Sequence, residues 1–169
     1  MDKNVSKKKG CLGCLGFIFF IFVVILIIGG LSSHDSKKDT ANLSDAEKIT
    51  QACKKAAGDD AQITINDDLS GNNDGGKIAL VHFTTSSANH FETRSARILK
   101  DTYQSGANVS EVTTFGEADM VDKKGNTAHM TVAKCNMTQA TAKTINWDNF
   151  LWENLHSVAD EYWVHPGIK

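Results

Sequence analysis

Hydrophobic and polar positions recur in two rhythms beyond the N-terminal quarter of the chain, and together they predict a helix followed by two strands. Ser44 and Glu47 have the spacing of a capping box and open a helix whose apolar positions recur every three to four residues. Gly58 lies where that helix should end. Residues 61–65 then alternate between apolar and polar, and residues 77–85 predict the most apolar strand, with a composition typical of the middle of a sheet.

The same order of elements repeats in the following stretch. Residues 88–104 have a helical period, with apolar positions on one side and basic side chains on the other. Two strands follow, at about residues 110–118 and 127–136, and the polar segment 122–126 between them is typical of a hairpin turn. Successive hairpins of this kind predict an antiparallel sheet with the helices packed on one face.

The C-terminal segment again has a helical period. Residues 138–145 predict a short helix with Thr138 as its N-cap. A final helix is predicted by apolar residues at i, i+3, i+4, i+7 and i+8, which are Leu155, Val158, Ala159, Tyr162 and Trp163. In such a helix Tyr162 and Trp163 belong to the core, whereas Trp152 lies off the stripe and is exposed. The complete prediction is an α+β domain with the order αββαββα plus a final helix.

The first part of the chain has no amphipathic pattern and predicts a membrane anchor. Residues 1–10 form a basic tail with four lysines and one aspartate, and residues 11–31 contain no ionisable side chain other than two cysteines. As a transmembrane helix, these 21 residues span roughly 30 Å, which is the thickness of a bilayer core. The polar linker 32–41 then leads to a domain at 42–169.

Lysines on only one side of the apolar run favour a single-pass protein of the cell membrane, with a cytoplasmic N-terminus and an exported C-terminal domain. The alternative is a signal peptide whose cleavage secretes the domain, although the apolar part of a signal peptide is usually only about 7–15 residues long. Both interpretations place residues 32–169 outside the cytoplasm.

The net charge of the chain limits the kinds of molecule that it is expected to bind. The whole chain has a formal net charge of −2, and beyond residue 10 there are 14 basic against 19 acidic residues, a net charge of −5. This balance differs from the basic surface typical of nucleic-acid binding and opposes adhesion to anionic lipid head groups. We therefore expect no nucleic-acid partner, and a bilayer contact made through residues 11–31.

No segment supplies a complete catalytic or metal-binding motif. Cys11 and Cys14 have the C-x-x-C spacing, but one such pair gives only two of the four ligands of a structural zinc, and no other His or Cys lies nearby. The loop 67–76 is rich in Asp, Asn and Gly, but neither glycine-centred register supplies the ligands of a calcium loop. His82 and His129 lie on different predicted strands and could be neighbours, yet ordinary sheet histidines are the simpler interpretation. The sequence therefore predicts a protein without catalytic residues, without a bound metal and without a cofactor.

Two of the four cysteines, Cys11 and Cys14, open the apolar run, where small apolar residues are the simplest interpretation. Cys53 and Cys135 lie in the exported part, where disulfides persist, so we expect a bridge between them. Two buried free thiols are the alternative.

Aromatic residues are concentrated near the C-terminus, and all three tryptophans lie in the last 23 residues. Trp147 and Trp152 stand beside Asp148 and Glu153, and tryptophan next to carboxylates is typical of surfaces that bind sugars or peptides. These four residues are the predicted partner contact. Packing of the segment against the sheet is the alternative.

The segments I-N-W-D-N-F at 145–150 and V-A-D-x-Y-W-x-H-P at 158–166 follow a basic start, one apolar span and a polar spacer. In this combination the chain resembles uncharacterised single-pass, membrane-anchored α+β proteins of Gram-positive bacteria and their mobile elements. The resemblance implies no catalytic residue. The layout of an anchor with a small exported domain, together with the missing catalytic motif, leads to our first hypothesis: an extracytoplasmic binding or inhibitory module without catalytic activity, whose partner is an envelope protein or glycan. The second hypothesis is an envelope exclusion (immunity) protein encoded by a phage or mobile element, and the third is an enzyme that acts on envelope glycans.

Overall fold

A computed structural model describes residues 43–71 and 75–168. The predicted basic tail, membrane span and linker lie outside these residues. Within the described ranges, no helix combines the length and the apolar character that crossing a bilayer requires. The described residues form an α+β unit around a five-stranded sheet, so the α+β prediction is confirmed for this part of the chain.

Two long helices and five strands alternate with short helical turns. In chain order they are α1 (Asp45–Ala57), β1 (Gln62–Asp67), β2 (Lys77–Thr84), α2 (Ala88–Tyr103), β3 (Val109–Val121), β4 (Thr127–Thr138), α3 (Gln139–Ala142), a 3₁₀ turn (Trp152–Asn154), α4 (Leu155–Val158), β5 (Glu161–Val164) and a second 3₁₀ turn (Pro166–Ile168). The order of the first six elements confirms the two predicted helix–strand–strand units.

The sheet is mixed, with the strand order β1-β2-β3-β4-β5. β1–β2, β3–β4 and β4–β5 are antiparallel pairs, whereas β2 and β3 are parallel. The prediction of a wholly antiparallel sheet is therefore wrong at the junction of the two units. The cause is α2, which connects β2 to β3. This helix runs back across the sheet to the end at which β2 began, so β3 starts at that end and runs in the same direction as β2.

Both ends of α1 are fixed by local sequence, as predicted. The Ser44 hydroxyl accepts a hydrogen bond from the Glu47 backbone N–H at 3.3 Å, and the Glu47 carboxylate accepts one from the Ser44 N–H at 2.9 Å. Gly58 follows the helix with a φ of +89°, a conformation that favours glycine. The length of α1 is thus encoded next to its ends.

One face of the sheet is covered by the two long helices, and we call it the helix-covered face. α1 packs on β1 and β2, while α2 packs on β3 and β4. One cross-strand row of this face consists of Ile63, Val81, Thr114, Cys135 and Tyr162. The largest side chains buried beneath the helices include Phe83, Phe91, Ile49, Ile98, Leu99 and Met137. The hydrophobic core is therefore built within the described residues.

α2 approaches β3 closely because that strand presents small side chains. A Cβ atom at Gly116 would lie 2.7 Å from the Phe91 ring and 2.9 Å from the Thr85 methyl group. One helical turn further along α2, the buried hydroxyls of Ser95 and Thr114 are hydrogen-bonded at 2.8 Å. The glycine and the hydroxyl pair together set the distance between helix and sheet.

The predicted final helix is wrong. α4 ends at Val158, and the next element is the strand β5. The Asp160 carboxylate accepts hydrogen bonds from the Thr138 backbone N–H and from the Thr141 hydroxyl, each at 2.6 Å. These bonds tie the chain to the end of β4, so that the residues after Asp160 pair with β4 instead of continuing the helix.

This change of element separates Tyr162, which still packs against the core, from Trp163, whose predicted core position is wrong. Neighbouring side chains of a strand point to opposite faces of the sheet. Tyr162 lies half-buried on the helix-covered face, where its hydroxyl donates to Glu92 at 2.8 Å. Trp163 lies on the other face and is 44% exposed, so it is not a core residue.

Candidate functional site

The second face of the sheet carries neither of the long helices, and we call it the open face. Its central cross-strand row consists of Gln62, His82, Phe115, Lys134 and Trp163. Each of these side chains is half-buried or exposed. Rings and polar groups that remain together at the surface are the usual material of a binding surface.

The rings of this row are held in place by their neighbours. The His82 and Phe115 rings are stacked, with centroids 4.3 Å apart and an angle of 18° between their planes. The Trp163 ring meets His165 edge-on at 6.1 Å. Lys134, between the rings, donates a hydrogen bond to Glu161 at 2.7 Å. The row therefore presents oriented aromatic surface together with a neutralised charge.

A chain of imidazoles and carboxylates continues the open face beyond Phe115. Glu117 lies between two histidines, 2.8 Å from His82 Nδ1 through one oxygen and 3.3 Å from His129 Nε2 through the other. Asp119 lies 2.8 Å from His129 Nδ1. Among the described strands, β3 and β4 pair only with each other beyond Glu117, so this polar chain lies at the base of a two-stranded arm.

The geometry around His129 requires the charged imidazolium. Both ring nitrogens face carboxylate oxygens, and only the doubly protonated ring donates from both nitrogens. Accordingly, hydrogen bonds to Asp119 and then to Glu117 raise the pKa of His129 above its usual value of 6.5. The hydrogen bond from His82, together with a smaller contribution from His129, lowers the pKa of Glu117. At the base of the arm a cation and two anions therefore stand in contact.

The other end of the open face forms a cleft of about 470 Å³, lined by residues that include Asp68, Ile78, Glu111 and Thr138. Glu111 accepts a hydrogen bond from the Asn136 amide at 2.6 Å. Hydrogen bonds from Ser70 lower the pKa of Asp68, so this carboxylate is ionised at neutral pH. The cleft thus offers carboxylates and hydroxyl groups beside two apolar side chains, Ile78 and Ala140.

The sequence-predicted contact residues lie elsewhere, in the segment that packs beside α2. The Trp147 ring stacks on Tyr103 with centroids 6.4 Å apart, and Trp152 is half-buried against the core. Asp148 and Glu153 are exposed. Partner binding by these residues stays a prediction, but the expectation of an exposed Trp152 is wrong because its ring is used in packing.

The two cysteines of the described residues are free, buried thiols. Cys53 contacts the Thr102 hydroxyl at 3.2 Å, whereas Cys135 lies on β4 opposite Tyr162. Burial raises the pKa of both thiols, that of Cys135 to about 12, so neither is a reactive thiolate at neutral pH. The predicted disulfide between them is not formed in the structure and is left to experiment: finding two alkylatable thiols in the denatured, unreduced protein, after Cys11 and Cys14 are replaced by serine, would exclude it.

One feature of the sequence could have indicated the open face: the apolar residues of β2 that do not alternate with polar ones. The strand at 77–85 has four consecutive apolar residues at 78–81, yet only alternate residues, such as Val81 and Phe83, are fully buried. Ile78 and Leu80 lie on the open face. In a sheet with one uncovered face, strands should alternate between apolar and polar, so additional apolar residues indicate where that face differs from an ordinary solvated surface.

No protein-family model, curated protein or solved structure matches the chain. Among the described residues, no group of three or more His, Cys, Asp or Glu side chains is arranged to hold a metal ion. The open face instead offers rings for stacking and paired polar groups for hydrogen bonding. These properties suit recognition of a ligand.

Proposed function

We propose that this chain is a membrane-anchored protein whose exported domain binds a component of the cell envelope through the open face. The observation that supports the proposal best is the central row of the sheet, in which Phe115 and the 44%-exposed Trp163 stand beside polar side chains and no helix of residues 43–71 and 75–168 covers them. Aromatic rings that are half-exposed and fixed in orientation provide contact area at a small cost in side-chain entropy.

The proposal is one of binding without catalysis. The polar groups of the open face satisfy one another: Glu117 engages His82 and His129, and Glu111 engages Asn136. Such mutual pairing fixes side-chain positions before a ligand arrives. A surface organised in this way loses little conformational freedom on binding, which favours affinity and selectivity.

Capture from solubilised envelope extracts tests the binding surface. The bait is the exported domain, and the variant Phe115→Ala/Trp163→Ala removes both rings of the central row. Leu151→Ala is the matched control, because Leu151 is an exposed apolar residue outside the sheet. We expect the native domain and the control to retain one saturable partner and the double variant to lose it.

The alternative surface is tested in the same experiment with the variant Asp148→Ala/Glu153→Ala. Loss of the partner with this variant, and its retention with Phe115→Ala/Trp163→Ala, would transfer the binding site to the segment beside α2. Digesting the extract beforehand with a protease or with a cell-wall hydrolase determines whether the partner is a protein or a glycan. Failure of every bait to capture a saturable partner would contradict the proposed function.

Membrane anchorage is tested separately by protease accessibility. The sequence pattern that supports it is the basic tail 1–10 followed by the apolar run 11–31. A protease added to intact spheroplasts should degrade the C-terminal domain and leave a small membrane-bound N-terminal fragment. Complete protection of the domain, with degradation after the membrane is permeabilised, would contradict export.

A further inference from the structure

The two outer strands of the sheet differ in how they are protected from pairing with other chains. β5 has four residues, begins with Glu161 and is followed by Pro166, and all three features discourage an additional strand. β1 has six residues, contains neither lysine nor proline, and pairs with β2 in one uninterrupted register. In the part of the chain that the structure describes, no strand pairs with its outer edge. β1 is therefore the edge suited to strand addition.

The side chains of β1 are complementary to themselves. Two copies of an antiparallel edge meet about a twofold axis, and residues on the same face must face each other. With the axis at Thr64, the threonines of the two copies face each other. Ile63 then lies opposite Ile65 of the second copy, and Gln62 lies opposite Asn66. From Gln62 to Asn66 every pair joins side chains of the same kind; Asp67 lies opposite the small Ala61 of the second copy, and no two like charges meet within the strand.

Neighbouring registers are less favourable. Moving the axis to Ile65 places Ile63 opposite the charged Asp67 of the second copy, and moving it to Ile63 leaves Ile65 opposite the small Ala61. Cross-strand pairs of β-branched residues and of threonines stabilise a sheet, whereas an apolar residue opposite a carboxylate does not. The register centred on Thr64 is thus selected by the sequence of the strand.

A groove next to this edge provides space for the second copy. It has a volume of about 310 Å³, lies between α1 and β1, and is lined by Ala46, Glu47, Thr50, Gln51 and Ile65. In the register centred on Thr64, the residue opposite Ile65 is Ile63 of the second copy. Its side chain lies on the helix-covered side, where the groove is, so that the new strand and an apolar contact form together.

We propose that the protein forms a homodimer in which β1 pairs antiparallel with β1 of a second copy about a twofold axis at Thr64. The two five-stranded sheets then join into one continuous sheet. The interface is isologous and closes on itself, and the protected β5 edges at both ends prevent further addition. The two open faces lie side by side on the same surface of the joined sheet.

Cysteine cross-linking of the full-length chain in detergent micelles tests the register, with Cys11 and Cys14 replaced by serine. Under mild oxidation, Thr64→Cys should give a covalent dimer, because residues opposite each other in an antiparallel pair lie within disulfide reach. Gln62→Cys alone should not cross-link, but a mixture with Asn66→Cys should. Thr127→Cys, an exposed threonine at the start of β4, is the matched control.

Charge exchange tests the same pairs without oxidation. Gln62→Lys/Asn66→Lys places like charges opposite each other twice and should raise the dimer dissociation constant roughly tenfold in analytical ultracentrifugation. Gln62→Glu/Asn66→Glu should have the same effect, and mixing the two variants should restore dimers, which a folding defect would not allow. A monomeric native chain, or cross-linking of Thr64→Cys no faster than of Thr127→Cys, would overturn the proposal.

Discussion

The helix-covered face and the open face are made by the same five strands, yet they are stabilised in different ways. On the helix-covered face, apolar side chains such as Phe83 and Val81 are fully buried and the contacts are set by shape, as at Gly116. On the open face, the corresponding positions hold rings and charged groups that pair with one another, such as His82 with Phe115 and with Glu117. The same backbone therefore carries a packed core on one side and, among the described residues, a row of rings and paired charges on the other. This division predicts that equivalent substitutions have very different effects on the two faces.

The largest difference is expected between two phenylalanines on adjacent strands. Phe83→Ala removes a ring that is 1% exposed and packs against Phe91, and it should lower the free energy of unfolding by about 3–5 kcal/mol. Phe115→Ala removes a half-exposed ring and should cost about 1 kcal/mol. Urea denaturation of both variants measures the difference. Equal losses would show that the open face is covered in the folded protein.

A substitution that adds volume tests the close approach of helix and sheet. Gly116→Ala places a Cβ 2.7 Å from the Phe91 ring and 2.9 Å from the Thr85 methyl group. It should destabilise the fold by about 1–3 kcal/mol, because Phe91 and Thr85 are both buried and cannot move away freely. The double variant Gly116→Ala/Phe91→Leu supplies the control: by removing the clashing ring edge it should cost less than the sum of the two single substitutions. Strictly additive losses would contradict direct contact.

Two tryptophan substitutions compare the packed core with the open face, with a smaller expected difference in stability. Trp152, half-buried against the core, should lose about 2 kcal/mol of stability on replacement by alanine. Trp163→Ala, on the open face, should change stability by less than about 1 kcal/mol. Thermal melts of the two variants decide between this assignment and the one that helical spacing alone predicts. A Trp163→Ala domain that unfolds at a much lower temperature than Trp152→Ala would restore the helical interpretation.

These residues also show what the sequence could and could not predict. Capping residues and periodicity located both long helices and the first four strands, because Ser44, Gly58 and the alternating strands act through neighbours in the chain. The strand after α4 could not be predicted in this way. Tyr162 and Trp163 fit a helical stripe, but the hydrogen bond of Asp160 to Thr138 and the pairing with β4 place them in β5. Long-range pairing overrode local pattern there.

The candidate site escaped prediction for a related reason. The open face collects residues from all five strands, and its members are brought together by register rather than by spacing in the sequence. From the sequence, the proximity of His82 and His129 was only a hypothesis. Glu117, the carboxylate that contacts both, belongs to no recognisable sequence motif. The parallel pairing of β2 and β3 had to be known first.

The smallest expected effect concerns the charges at the base of the two-stranded arm. The pKa of His129 is raised by Asp119 and Glu117, so its contribution to stability is complete below the unfolded value of 6.5 and is lost as the pH rises through the folded pKa. The pKa of Glu117 is lowered, so its contribution is present above the unfolded value of 4.5 and is lost as the pH falls through the folded pKa. The cluster should therefore stabilise the arm most between these two unfolded values, where both groups are charged.

NMR titration of the His129 ring protons measures this directly, and the midpoint should lie above 6.5 in the native protein. Asp119→Asn removes the carboxylate that contributes most and should lower the midpoint, while Asp148→Asn, which alters an exposed carboxylate in the segment beside α2, should leave it unchanged. Because His129 is at the surface, salt should reduce the shift. A midpoint that ignores both Asp119→Asn and salt would mean that His129 does not stand between two carboxylates, and the polar chain of the open face would then end at Glu117.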